Sequence, residues 1–193
     1  MTRRAEIERA TTETRVRVSL DLDGDGQADV RTGVAFYDHL LAALARFAGF
    51  TLAVQAEGDL AVDAHHTVED VAIVLGQAFR AALGDGAGIA RFASLHLPMD
   101  DALVRVALDI SGRPYLHAAL AFPQDRVGDF PVALVEDALR AFATHAAVTL
   151  HVDQVRGRNS HHIAEAVFKG LGVALGRAVA VVGRGVPSTK GVL

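Results

Sequence analysis

The 193-residue chain contains no cysteine. Disulfides, iron-sulfur clusters and thiolate zinc sites are thereby excluded, and any metal must be held by nitrogen and oxygen. Such a ligand set suits manganese, iron or zinc, with geometry rather than affinity choosing among them. No run approaches the roughly 20 apolar residues of a membrane span. The basic start, Met1-Thr2-Arg3-Arg4-Ala5-Glu6, is followed by no apolar stretch, so the cytoplasm is the default compartment. An excess of basic charge is missing too. The net charge is -4 with the signs interspersed, so neither nucleic acid nor a membrane is an expected partner. What is present, 51% hydrophobic and 22% charged residues, describes an ordinary globular protein with chain enough for a sizeable core.

Histidine, by contrast, is abundant, and five of the nine (His39, His65, His66, His161 and His162) fall in one pattern. His65-His66-Thr67-Val68-Glu69-Asp70 returns as His161-His162-Ile163-Ala164-Glu165-Ala166, at an offset of 96 (161 minus 65). Residues four apart share a helix face. His65 with Glu69, and His161 with Glu165, therefore each present an imidazole and a carboxylate to one point, which is half of a metal site written twice. His66 and His162 are turned by about 100° around their helices and should reach a different ion. A lone histidine is more often a core or capping group. Duplication of the whole pattern argues instead for two ions, each gripped by one His-x-x-x-Glu pair.

Thr14 to Leu22 alternates as a half-buried strand, and Gly24-Asp25-Gly26 reads as a polar hairpin into a strand from Val30 to Phe36. The same loop opens like a calcium loop or an aspartate-dependent phosphatase. Its twelfth position is Thr32 rather than an acid, and nothing downstream supports the phosphatase. Helices are expected at Leu40 to Phe47, Thr67 to Leu83, Val132 to Phe142 and Ile163 to Ala180; strands at Thr51 to Val54, Leu103 to Ile110, Tyr115 to Phe122 and Val148 to Val152. Gly84-Asp85-Gly86-Ala87-Gly88 follows a helix, so it reads as a cap and linker, not a phosphate loop.

Arg17, Val18, Leu20, Asp21 and Gly24 match Arg105, Val106, Leu108, Asp109 and Gly112 at an offset of 88, and Thr51-Leu52 matches Thr149-Leu150 at 98. The chain therefore reads as a single α+β domain over 1–193, an internal duplication of a strand-strand-helix-strand-helix unit at about 5–88 and 89–193. Each unit has an apolar helical stripe that must be covered. Packing the helices of both halves together, with a sheet on each outer side, does so and leaves the histidine-bearing helix starts at the edge.

The doubling also locates ligands that no local motif shows. At offset 98 His39 falls opposite Asp137, and at 88 Glu13 falls opposite Asp101. His39 should complete one ion. Asp137, a carboxylate where the repeat predicts an imidazole, should complete or adjoin the other, with His145 (late in a helix) and His151 (on a strand) as rivals. Towards the C-terminus, Arg184 to Gly191 offers the hydroxyls of Ser188 and Thr189, backbone N–H groups and the Lys190 ammonium to a phosphomonoester. Arg113, preset by Gly112 and Pro114, adds a guanidinium fork. The plain alternative is a solvated tail with a surface arginine.

Six stretches, Phe36-Tyr37-Asp38-His39-Leu40, His65 to Asp70, Pro98-Met99-Asp100-Asp101-Ala102-Leu103, Ser111-Gly112-Arg113-Pro114-Tyr115, Asn159 to Lys169 and Pro187-Ser188-Thr189-Lys190-Gly191, stand in an order that resembles the imidazoleglycerol-phosphate dehydratase family. The resemblance runs from about residue 5 to the C-terminus. It implies helices packed between two mixed four-stranded sheets, two manganese ions (Mn2+) per active site, and trimers assembling into a 24-subunit homo-oligomeric shell with sites between subunits. It also implies dehydration of imidazole glycerol phosphate to imidazole acetol phosphate in histidine biosynthesis. Carried over by motif, the metal ligands are His39, His65, His66, Glu69, His161, His162 and Glu165, with an eighth at Asp137, where the family often has histidine. Substrate contacts are Glu13, Arg91, Arg113, Lys169, Ser188, Thr189 and Lys190. Glu165 is the expected proton-moving group, with His65 or Glu13 as alternatives. Rival readings are a two-metal phosphohydrolase, which would release phosphate, and a metal-stapled shell protein without activity.

Overall fold

The computed structural model describes residues 3–193; Met1 and Thr2, which open the basic start, lie outside the described residues. The chain runs β1 (Arg4–Ala10), β2 (Thr14–Asp21), β3 (Ala28–Arg31), α1 (Ala35–Ala48), β4 (Thr51–Gly58), α2 (His65–Leu83), β5 (Phe92–Met99), β6 (Ala102–Asp109), β7 (Tyr115–Ala119), β8 (Arg126–Val127), β9 (Phe130–Pro131), α3 (Leu134–Ala146), β10 (Thr149–Arg156) and α4 (Ser160–Ala178). Two four-stranded sheets result, in the orders β1-β2-β4-β3 and β5-β6-β10-β7. In each, the last-named edge strand is parallel to its neighbour and the other pairs are antiparallel. Asp21 pairs with Thr51 and Asp109 with Thr149, so the offsets of 88 and 98 meet on a single rung of the two ladders.

The repeated unit is thus β-β-β-α-β-α, one strand longer at its start than the sequence pattern indicates. β1 and β5 escape periodicity because they are edge strands whose inward residues, Ala5 and Ile7 or Ala93, Leu95 and Leu97, are only partly buried. Central strands show the pattern clearly: Val16, Val18 and Leu20 of β2, and Val104, Val106 and Leu108 of β6, lie in the core. The expected hairpin at Gly24 to Gly26 is corrected by the pairing. β3 does not pair with β2 but lies beyond β4 and parallel to it. It also stops at Arg31, well short of Phe36. Asp38, in the first turn of α1, accepts from the Thr32 N–H at 2.9 Å and the Thr32 hydroxyl at 2.5 Å, which ends the strand and starts the helix.

α1 packs on β3 and β4 and α2 on β1 and β2, while α4 lies on β5 and β6 and α3 on β7. The two helical layers then face each other, α1 against α4 and α2 against α3. α2 and α4, each laid across the first two strands of its sheet, are buried around most of their circumference, while α1, over the parallel edge pair, shows a single stripe of Tyr37, Leu40, Leu41, Leu44 and Ala45. Glycine sets the spacing between layers. A β-carbon on Gly172 would collide with the Leu44 carbonyl, one on Gly176 would stand 2.5 Å from the Ala48 carbonyl, and one on Gly76 would stand 2.8 Å from the Phe142 carbonyl. Gly76 and Gly172 are themselves 96 apart (172 minus 76), so both interlayer contacts use the same device.

Alanine favours helix interiors over glycine by about 1 kcal/mol, yet overpacking against a rigid backbone costs about 1–3 kcal/mol. Gly172→Ala should therefore lower the thermal midpoint, whereas Gly183→Ala, which meets nothing within 4 Å, should leave it unchanged. Parallel melting curves check this, and a Gly172→Ala protein melting at or above the parent would contradict the close approach.

Candidate active site

Matching acceptors start the two histidine-bearing helices. The Asp63 carboxylate accepts from the His65 N–H at 2.7 Å and the Asn159 carboxamide oxygen from the His161 N–H at 2.9 Å. Satisfying an orphan N–H fixes where each helix begins and so which way its His-x-x-x-Glu face points. From α4 that face meets α1. Glu165 Oε1 lies 3.2 Å from His39 Nε2, Oε2 lies 3.5 Å from His161 Nε2, and Lys169 Nζ donates to Oε1 at 2.8 Å. Phe36, less than a turn before His39, packs against both rings, with centroids 4.9 Å from His161 and 6.1 Å from His39. Lys169 is seated by Phe47 of α1, 5.4 Å below its ammonium, and by the Met99 sulfur at 3.5 Å.

Burial by itself would push the Glu165 carboxyl up. The hydrogen bonds and positive charge of Lys169 and His39 outweigh it and hold the group below the usual glutamate range. An ionised carboxylate and two imidazoles, with donor atoms within 4.8 Å of one another, form a nitrogen-oxygen set that fits a divalent transition ion. Among the described residues no other trio of histidine and carboxylate is drawn together so closely.

The repeat-related set is looser. Asp137 of α3 stands 3.8 Å from His65 Nδ1, as the offset of 98 places it, but Glu69 is exposed where Glu165 is buried. His66 and His162 turn elsewhere. His66 Nδ1 is 2.9 Å from Asp59 and 3.7 Å from Glu13; His162 Nδ1 is 2.6 Å from Asp101, and its Nε2 is 3.6 Å from Asp100. The Asp59 bond raises the pKa of His66, and the His162 bond lowers that of Asp101. A carboxylate on Nδ1 leaves Nε2 as the nitrogen that an ion would use. His145 lies in the last turn of α3 and His151 beside Tyr115 and His117 of β7, so neither joins the histidine cluster.

A second group forms around Asp109. Arg91, in a left-handed conformation (φ 71°), donates its backbone N–H to the Ala178 carbonyl at 2.8 Å, at the end of α4. Its guanidinium donates to Asp109 at 2.7 and 3.2 Å and to the Pro187 carbonyl at 2.8 Å. Arg113 Nη2 is 4.0 Å from Asp109, with its side chain largely exposed. Ser188, Thr189 and Lys190 follow directly, and Ser188 Oγ accepts the Lys190 N–H at 3.2 Å. Two guanidiniums thus meet at one carboxylate, and the hydroxyls and lysine of the segment that Arg91 holds at Pro187 follow in sequence, a composition suited to a phosphomonoester. Lys169 is not among them, since it sits on Glu165. Sequence reading did not assign Asp59, Asp109 or Phe36 a role at the site. For Asp109 the signal was its place in the repeat, facing Arg91 across the β5–β6 ladder.

A family model described as imidazoleglycerol-phosphate dehydratase matches residues 32–175. The chain belongs to the imidazoleglycerol-phosphate dehydratase family. Curated relatives of that name include one from Azorhizobium caulinodans, 56% identical over 99% of this chain and 98% of its own length, and one from Thermoanaerobacter pseudethanolicus, 53% identical over 99% and 100%. Two crystal structures of imidazoleglycerol-phosphate dehydratases share the fold. The Staphylococcus aureus protein aligns with a TM-score of 0.83 at 35% identity, covering 93% of this chain and 99% of that one. The Pyrococcus furiosus protein aligns at 0.85 and 38%, covering 97% and 100%.

The Lys169–Glu165 pair makes a stability prediction for chelator-treated protein. Because Glu165 is more acidic folded than unfolded, the pair stabilises the fold above the unfolded glutamate pKa and loses that effect as pH falls through the folded one. Lys169→Met should cost about 2 kcal/mol at neutral pH, and the deficit should shrink as pH falls below the ordinary glutamate range. Denaturant titrations at the two pH values test it; a deficit independent of pH would place the lysine's contribution in packing alone.

Proposed function

We propose that the chain dehydrates imidazole glycerol phosphate to imidazole acetol phosphate in histidine biosynthesis, using two manganese ions per site held by the histidine-carboxylate sets. The observation that carries this is the preformed His39, His161 and Glu165 cluster in a chain related over its whole length to dehydratases of that name. His39, His161 and Glu165 would hold one ion, His65, Glu69 and Asp137 the other, with His66 and His162 adding Nε2 donors. A divalent ion there supplies Lewis acidity to the azole ring, needed because the departing hydrogen is not activated by a carbonyl.

The remaining chemistry belongs to side chains. Loss of the hydroxyl beside the ring and of a hydrogen from the next carbon gives an enol, which becomes the ketone; water is the only other product. Glu165, ionised and fixed by Lys169, is the group we assign to proton movement, with His65 and Glu13 as the alternatives. Arg91, Arg113, Ser188, Thr189 and Lys190 bind phosphate, so that remote binding energy positions the reacting carbons. Nothing in the comparisons supports a phosphohydrolase.

The two groups stand at opposite ends of one helix. Glu165 and Ala178 are 13 residues apart on α4 (178 minus 165), which spans about 20 Å. A three-carbon chain between an imidazole and a phosphate cannot bridge that length. A complete site therefore takes its metal end from one copy and its phosphate end from another, in keeping with trimers assembling into a 24-subunit shell. Among the described residues no helix is long and apolar enough to cross a membrane; we place the enzyme in the cytoplasm.

Assay with imidazole glycerol phosphate should give a ketone without inorganic phosphate. Activity should fall at least about 100-fold on chelation and return with manganese; release of phosphate, or full turnover without metal, would overturn the assignment. For the shared site, Glu165→Gln and Arg91→Ala proteins, each inactive, should regain about a quarter of parental activity when unfolded and reassembled together in equal amounts, the random-pairing value for a two-copy site. No recovery from mixed assemblies would place the whole site in one chain.

A further inference from the structure

We infer that Asp137 makes the two ion sites chemically unequal: the set of His65, Glu69 and Asp137 accepts hard, oxygen-preferring cations such as magnesium, while His39, His161 and Glu165 retain transition ions. This rests on the two-ion reading above and concerns how the sites differ.

The internal repeat supplies the comparison. α1 and α3 end on left-handed residues, Gly49 at φ 76° and Ala147 at φ 54°, whose N–H groups bond to the carbonyls of Ala45 and Ala143. Both pairs are 98 apart (147 minus 49, 143 minus 45), the spacing that separates Asp137 from His39. The two residues therefore occupy one structural position. Each also faces the first histidine of the partner helix: His39 lies beside His161 with ring centroids 6.1 Å apart, and Asp137 lies 3.8 Å from His65. One set offers two imidazoles and one carboxylate, the other one imidazole and two carboxylates. Imidazole favours transition ions, whereas oxygen donors suit magnesium, calcium and manganese.

Charge and rigidity act in the same direction. Glu165 is neutralised by Lys169 at 2.8 Å, so its set attracts a dication chiefly through the imidazole lone pairs. At the offset of 96 the lysine's place is taken by Ile73, and Arg140 pairs with Glu136 rather than Asp137. The second set thus carries two negative charges with no lysine to offset them, which strengthens binding of any divalent cation without regard to its softness. Phe36, which wedges the His39 and His161 rings, corresponds at offset 98 to Leu134, and Glu69 is exposed. A flexible, oxygen-rich set tolerates ions of different size; a wedged, imidazole-rich one does not.

The test uses the assembled full-length protein, stripped, reloaded with manganese and challenged with rising magnesium, bound manganese being counted by electron paramagnetic resonance and elemental analysis. The parent should release one manganese per chain at a magnesium concentration about tenfold below that needed for the other. Asp137→His should abolish the early release, and His39→Asp should make both ions leave early. Should the histidine variant fail to assemble, Asp137→Asn keeps the shape without the charge and should weaken only the early-leaving ion. Two manganese ions leaving together from the parent, or an early release unchanged in the Asp137 variants, would overturn this inference alone. A folded parent that binds no manganese would overturn the two-ion reading beneath it.

Discussion

The backbone contact between α1 and α4 sets the geometry of the preformed cluster. His39 and Glu165 belong to different halves of the repeat, 126 residues apart in sequence (165 minus 39), and their 3.2 Å approach exists only because two helices touch without intervening side chains. Gly172 and Gly176 permit that touch. A wider interlayer gap would leave Glu165 with His161 alone. The same contact buries the carboxylate, and that burial makes Lys169 necessary, since an unpaired ionised group in the core would be displaced towards its neutral form.

The lysine has a second consequence for an incoming cation. Glu165 Oε1 already accepts from Lys169 and lies near His39, while Oε2 lies near His161. A divalent ion entering between the imidazoles would meet a carboxylate that is ionised and oriented, so little reorganisation would remain to be done at that site. It would, however, have to share the carboxylate with an ammonium seated over the Phe47 ring and against the Met99 sulfur. Preorganisation and charge competition thus oppose each other at the His39 set, and both are weaker at the Asp137 set.

How much of this was legible in the sequence follows from the range of each interaction. The His-x-x-x-Glu faces are local to one helix, so spacing alone revealed them. The position of Asp137 beside His65 is long-range, and it became visible only because duplication turns one contact into a template for the other. Where the repeat offers no template, reading failed. Asp59 holds His66 from the loop after β4, and at the offset of 96 its place falls on Val155, within β10. The lysine four residues after Glu165 looks like an exposed i,i+4 pair, and its burial comes from residues on α1 and β5. β1 and β5 were missed because edge strands bury too little to enforce alternation, and β3 was mistaken for a hairpin partner because a parallel crossover leaves no local mark.

Duplication also explains why one chain holds two kinds of site apart. Copying a unit whose helix begins in a histidine-carboxylate face places two such faces at the starts of α2 and α4, on the same side of the helical layers. The ends of those helices lie on the opposite side, and there the second half alone has built a cationic group, from Arg91, Asp109, Arg113 and the tail. The corresponding residues of the first half are Arg3 and Asp21, at an offset of 88. Arg3 binds Asp23 and the Val179 carbonyl, so it closes the end of α4 instead of presenting a guanidinium. A chain whose cationic group and histidine-carboxylate clusters lie at opposite ends of its helices cannot bring them together within one copy. On the proposed reading, a second copy that laid its α4 terminus against the α2 and α4 starts of the first would bring the two groups together, and the chemistry would then require assembly.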